Sequence, residues 1–142
     1  KENADEPRAE LLAHAVLEAR KKGARWATTT ALAAFLRAAV AEPDADDMVR
    51  RVFQALRIAV NDEFNALDTF LRQLPGCLAS GGRVAILTFH SGEDRRVKHA
   101  FKAGLRDGIY SEIAADVVRA SREELRANPR SSSAKLRWAI RR

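Results

Sequence analysis

In a chain that otherwise reads as helix, Val84-Ala85-Ile86-Leu87-Thr88-Phe89 is the segment that most restricts the fold. It is apolar and rich in β-branched residues, and it lacks the polar alternation of a half-exposed strand. That pattern predicts a strand covered on both faces, as in a parallel α/β sheet. Such a strand needs neighbours on both sides, and few others are visible. Val117-Val118 reads as a short strand and Leu136-Arg137-Trp138-Ala139-Ile140 as a final one. Further strands flanking Val84–Phe89 are therefore expected outside these 142 residues.

The remaining pattern is helical. Residues 4 to about 22 form one stripe through Leu11, Leu12, Ala15, Val16 and Ala19, with Pro7 in the first turn and Gly23 at the C-cap. Thr28 to Thr30 offer an N-cap to a second helix with Leu32, Phe35, Leu36, Ala39 and Val40 inward. Glu42-Pro43-Asp44 breaks the pattern. A long third helix is expected from about Asp46 to Leu78, burying Val49, Val52, Phe53, Leu56, Val60, Phe64, Leu67, Leu71 and Leu74, with Pro75 kinking it or ending it early. A turn at Ser80-Gly81-Gly82 precedes the strand, and another helix, spaced by Val97, Phe101 and Leu105, follows it. Ser121-Arg122-Glu123-Glu124 has capping-box spacing for a short helix that Asn128-Pro129 stops.

Composition narrows the function. The single cysteine, Cys77, excludes an internal disulfide and a cysteine-built zinc site. No apolar run reaches the ~20 residues a membrane span needs, so no membrane partner is expected, and the cytoplasm is the default compartment. The charge is uneven. Residues 1–71 carry 10 Lys/Arg against 12 Asp/Glu, and residues 72–142 carry 15 against 7. A basic half points to a polyanion such as nucleic acid, although a solvated surface explains it equally well.

Three stretches carry chemistry. Phe89-His90-Ser91-Gly92-Glu93-Asp94-Arg95 lies where the strand hands over to a helix, the position at which α/β sheets bind ligands. The same residues read simply as a cap, with Ser91 at the N-cap and Glu93 and Asp94 facing the positive helix end. Asn128-Pro129-Arg130-Ser131-Ser132-Ser133-Ala134-Lys135-Leu136-Arg137 sets cations and hydroxyls in one loop suited to phosphate oxygens, or to solvent. In the third helix Gln54, Arg57 and Asn61 share a polar face. His14 and His99 have no ligand partners at useful spacing and read as structural, so no metal site is expected. Gly81-Gly82 precedes a strand, the wrong order for a dinucleotide loop.

Taken together, these stretches resemble the bacterial ribosomal RNA small subunit methyltransferase H family (RsmH, also called MraW). That family carries a segment like Phe53–Glu63, then a Gly-Gly-Arg turn as at Gly81–Arg83. A strand ending in Phe89-His90-Ser91 with Glu93-Asp94-Arg95 follows, and then Asn128-Pro129-Arg130-Ser131 and Ser133-Ala134-Lys135-Leu136-Arg137. Ala19-Arg20 and Thr28-Thr29 resemble its helical insertion. Gly92 stands where the family usually has a larger apolar residue, and Ser132 where a basic or small one is common.

The resemblance implies S-adenosylmethionine-dependent methylation of the exocyclic N4 of a cytidine in small-subunit rRNA. It implies a Rossmann-like sheet with a helical insertion, of which this chain is the C-terminal part: 1–45 a partial insertion subdomain, 46–142 the last part of the methyltransferase domain. The family's Gly-rich cofactor loop and ribose-binding acid have no counterpart here, so the chain is expected to be a fragment, inactive alone. Phe89, His90, Ser91, Glu93 and Asp94 are the candidates for the base pocket. Arg57, Asn61, Arg95, Arg130, Lys135 and Arg137 are the candidates for rRNA contact. The rival is a non-catalytic RNA-binding or structural module on the same fold. A strand lacking a partner on one side is also expected to self-associate through that edge, and Ile86→Lys to reduce this.

Overall fold

The computed structural model describes residues 3–40 and 45–142. The chain forms two compact units, Lys1–Glu63 and Phe64–Arg142.

The first unit holds α1 (Ala9–Lys21), α2 (Thr29–Ala39) and α3 (Ala45–Asn61). The helix start expected at residue 4 lies at Ala9, so Pro7 precedes the first turn. The Gly23 N–H closes α1 on the Arg20 carbonyl at 3.0 Å. The Thr28 hydroxyl accepts from the Ala31 N–H at 3.1 Å, which gives α2 its cap. Leu12, Leu36, Val40, Met48 and Val49 form the core, with Leu36 and Met48 wholly buried. Glu6 is buried beside it, holding Arg51 Nε at 2.6 Å and the Arg8 N–H at 2.9 Å. Burial pushes its carboxyl upward, but Arg51 and the Arg8 N–H outweigh that and hold it below the usual range. The break expected at Glu42-Pro43-Asp44 lies outside the described residues.

The long helix expected over 46–78 is two helices. Asp62 takes a left-handed conformation, φ +52°, between α3 and α4 (Glu63–Cys77). No right-handed helix passes through such a residue, and Asp tolerates it better than most. Two residues assigned inward on the single-helix reading are exposed: Val60 at 82% and Leu56 at 43%. Pro75 does not end α4, which runs on to Cys77.

The second unit continues with β1 (Arg83–Thr88), α5 (Ser91–Arg106), β2 (Tyr110–Ile113), α6 (Arg122–Ala127), a 3-10 turn at Pro129–Ser133 and β3 (Lys135–Arg141). The strand order is β1-β3-β2, and both pairings are antiparallel. The chain is therefore α/β with a small antiparallel sheet, not the parallel pairing expected for β1. Val117-Val118 contributes a single bridge, Val118 to Leu136.

The register Ile86↔Arg137 and Leu87↔Leu136 sorts side chains onto two faces. Val84, Ile86 and Ala139 pack with Leu71 and Leu74 of α4 and Val97 and Phe101 of α5. On the other face Leu87 is 52% exposed, and beyond the strand Phe89 is 54% exposed. The expectation of cover on both faces fails here because Ala85 and Leu87 are apolar yet uncovered. Leu105, spaced to join Val97 and Phe101, is likewise exposed. Gly104 lets the Tyr110 ring lie directly on α5, since a Cβ there would sit 2.5 Å from its Cδ2.

Candidate functional site

The turn from β1 into α5 is built by a reciprocal cap. The His90 Nδ1 accepts from the Glu93 N–H at 3.3 Å, while Glu93 Oε2 accepts from the Phe89 and His90 N–H groups at 3.0 and 3.4 Å. The cap residue is thus His90, not Ser91, which is the exposed first residue of α5. The geometry is that of a capping box with an imidazole in the usual hydroxyl's place. Glu93 is thereby committed to holding the turn.

Asp94 is committed as well. Arg137 of β3 donates to it twice, Nε to Oδ1 at 2.7 Å and Nη2 to Oδ2 at 3.1 Å. The paired side chains are only 11% and 16% exposed. Those hydrogen bonds outweigh burial and, with the nearby charges of Arg137, Lys135 and Lys98, hold the Asp94 carboxyl below its ordinary range. Arg137, expected as a phosphate contact, is instead a buried clamp that ties α5 to β3. Charge-assisted fork pairing of this kind fixes orientation as well as energy.

A second support was not anticipated. The Phe64 ring of α4 lies under this turn, 5.9 Å from the His90 ring, and Arg96 sits 3.7 Å above its centroid while holding Asp68 at 3.2 Å. Gly92 makes room for it, because a Cβ at that position would be 2.7 Å from Phe64 Cζ. The unusually small residue at 92 was the available sequence signal.

Phe89 is open to solvent, as are Ser91 and Arg95. Phe89 lines a groove of about 410 Å³ with Leu87, Asn128, Arg130 and Ser131, so the structure brings the β1 end and the Asn128–Arg137 loop together. Lys135 lies opposite Thr88, and its carbonyl accepts the Thr88 hydroxyl at 3.2 Å. Arg95 is exposed on α5. Arg57 and Asn61 belong to the first unit, where both hold Glu63: Arg57 through two bonds of 2.8 and 2.9 Å, Asn61 through one of 3.0 Å.

At Gly81-Gly82 the two N–H groups already bond the Arg141 and Ala79 carbonyls, both at 2.9 Å, and a Cβ at Gly82 would meet Ala79 O at 2.8 Å. The turn closes on its own backbone and offers no donors to a ligand.

The profile of the MraW methylase family matches residues 1–142. The chain is 49% identical to ribosomal RNA small subunit methyltransferase H 1 of Agathobacter rectalis, over 99% of the chain and 42% of that protein. It is 48% identical to ribosomal RNA small subunit methyltransferase H 2 of Alkaliphilus metalliredigens, over the same shares. With ribosomal RNA small subunit methyltransferase H of Prochlorococcus marinus it shares 55% identity over 64% of the chain and 28% of that protein. The chain spans about two fifths of the length of the first two.

Proposed function

The chain belongs to the MraW methylase family, and from that premise we propose that it forms the acceptor side of an S-adenosylmethionine-dependent enzyme that methylates N4 of a cytidine in small-subunit rRNA. In this reading residues 1–45 belong to the helical insertion and 46–142 to the methyltransferase domain. The methyl donor is held by sequence outside these residues, and the protein works in the cytoplasm, where its rRNA substrate is. Among the described residues no helix is long and apolar enough to cross a membrane.

The observation that carries the reading is the solvent-facing Phe89 ring at the end of β1, on a groove edged by Asn128, Arg130 and Ser131. A cytosine must leave its stack before its N4 can be reached, and a flipped base needs a surface to stack on and polar groups for its edge. Stacking on an aromatic ring contributes about 1–3 kcal/mol per base. Phe89 supplies that surface, Asn128 faces the base edge, and Arg130 and Lys135 take the adjoining phosphates. Glu93, through the capping box, and Asp94, through Arg137, position the turn rather than act on the base. His90 serves as the cap that aims Phe89, and Ser91 stands at the solvent side of the same turn. In the first unit, Arg57 and Asn61 form with Glu63 a polar cluster that meets RNA.

The test uses the full-length protein, small-subunit rRNA and labelled methyl donor, with nucleoside digestion to identify the product. Labelled N4-methylcytidine is expected, and Phe89→Ala should lower its formation at least tenfold with an unchanged circular dichroism spectrum. RNA binding without any methyl transfer would favour a non-catalytic binding module instead.

A further inference from the structure

A second groove in the Phe64–Arg142 unit, about 730 Å³, runs between α4 and α5 and is closed at one end by Ile109 and Tyr110. Its floor is apolar, through Leu71, Ala100 and Ala103, and its rim is basic, with Arg72 on α4 and Arg95, Arg96 and His99 on α5. The two acids that line it are already neutralised. Asp68 holds Arg96 at 3.2 Å, and Asp107 holds Arg106 at 2.9 Å. Residues 95, 99, 102 and 106 recur at helical spacing, so Arg95, His99, Lys102 and Arg106 form one stripe along α5 beside the groove. At 1.5 Å per residue the stripe is about 16 Å long, enough for several phosphates.

We propose that this groove and its basic stripe are a phosphate-backbone track for single-stranded rRNA, leading to the candidate site through Arg95. The inference rests on the reading that rRNA is the substrate. Charge complementarity selects the partner: five arginine and lysine side chains along the groove and stripe stand against two carboxylates, an excess that suits a polyanion better than a small anion or a neutral protein surface. Contacts of this kind position the strand without reading its sequence. The stripe begins at Arg95, in the second turn of the helix that starts directly after Phe89 and His90.

The experiment measures binding of the full-length protein to a labelled single-stranded small-subunit rRNA fragment across 50–300 mM salt. It compares Arg72→Gln with Lys102→Gln against a control that removes the same charge from α1, Arg20→Gln with Lys21→Gln. The groove variant should weaken binding about tenfold at physiological salt and lower the log–log salt slope by about 1.4, which is 0.7 for each lost phosphate contact on a single strand. The loss should be the same for an unrelated sequence, and the control should change neither quantity. Equal losses in both double variants would overturn the track in favour of diffuse charge, and an unchanged slope in the groove variant would overturn it outright. Methyl transfer by the wild type is read in parallel. Its absence would count against the proposed enzyme while the salt slopes still decide the track.

Discussion

The two faces of the three-stranded sheet carry similar side chains and do different work. One is packed under α4 and α5, where Val84, Ile86 and Ala139 meet Val97 and Phe101, and it contains an ion pair that ties α5 to β3. The other leaves Leu87, Phe89 and Val118 about half exposed. Hydrophobicity does not separate them, since alanine and leucine occur on the bare face too. The difference teaches that the packed face fixes where the β1–α5 turn points, and the bare face is where that turn can meet something else.

The comparison breaks most severely at the clamp. Removing one partner from a buried ion pair leaves an uncompensated charge, so Arg137→Ala should cost about 3–5 kcal/mol of stability, read by denaturant titration. A next-sized effect is expected where Phe64 supports the turn. Gly92→Leu puts side-chain atoms where that ring lies and should cost about 1–3 kcal/mol. In a Phe64→Ala background the same substitution should cost much less, and equal costs in the two backgrounds would remove Phe64 from the support.

Acid sharpens the comparison through Asp94, with Glu6 doing the same in the first unit. Both carboxyls are held below their ordinary range in the folded chain. Their stabilisation is therefore complete above about pH 4.5 and is lost as pH falls through the folded-state values. The melting temperature should drop between pH 5 and 2.5, and by less in Asp94→Asn, although that variant starts lower. The smallest effect on stability belongs to the bare face. Leu87→Lys should change the unfolding free energy by less than about 0.5 kcal/mol yet reduce concentration-dependent sedimentation, because β1 has no ladder partner on its outer edge among the described residues. Ile86, first named for this purpose, packs towards the covered face and would confound the test with lost stability.

Much of this was legible in the sequence where the signal is local. The apolar runs mark β1 and β3 nearly to the residue and Thr28 and Ser121 cap as their spacing demands, whereas the α5 cap expected at Ser91 falls on His90, an imidazole in a place that hydroxyls usually hold. Non-local facts were not legible. Nothing periodic links Asp94 to Arg137, 43 residues later. Asp62 interrupts an unbroken helical pattern through its own backbone dihedral, which side-chain spacing does not encode. Tyr110–Ile113 is too short and too polar to stand out as a strand before its partner is known.

That partner sets the order in which the sheet can assemble. β3, the last of the three strands in sequence, lies in the middle, and β1 and β2 never touch. Even the nearest cross-strand link between β1 and β3, from Thr88 to Lys135, spans 47 residues. During synthesis, β1 and α5 therefore leave the ribosome well before the β1–β3 ladder can form. Closing loops of this length delays pairing, so among these three strands β3 comes last and brings β1, β2 and the Asp94 clamp into register together. Until then the turn that presents Phe89 has its local capping box but not the Arg137 clamp.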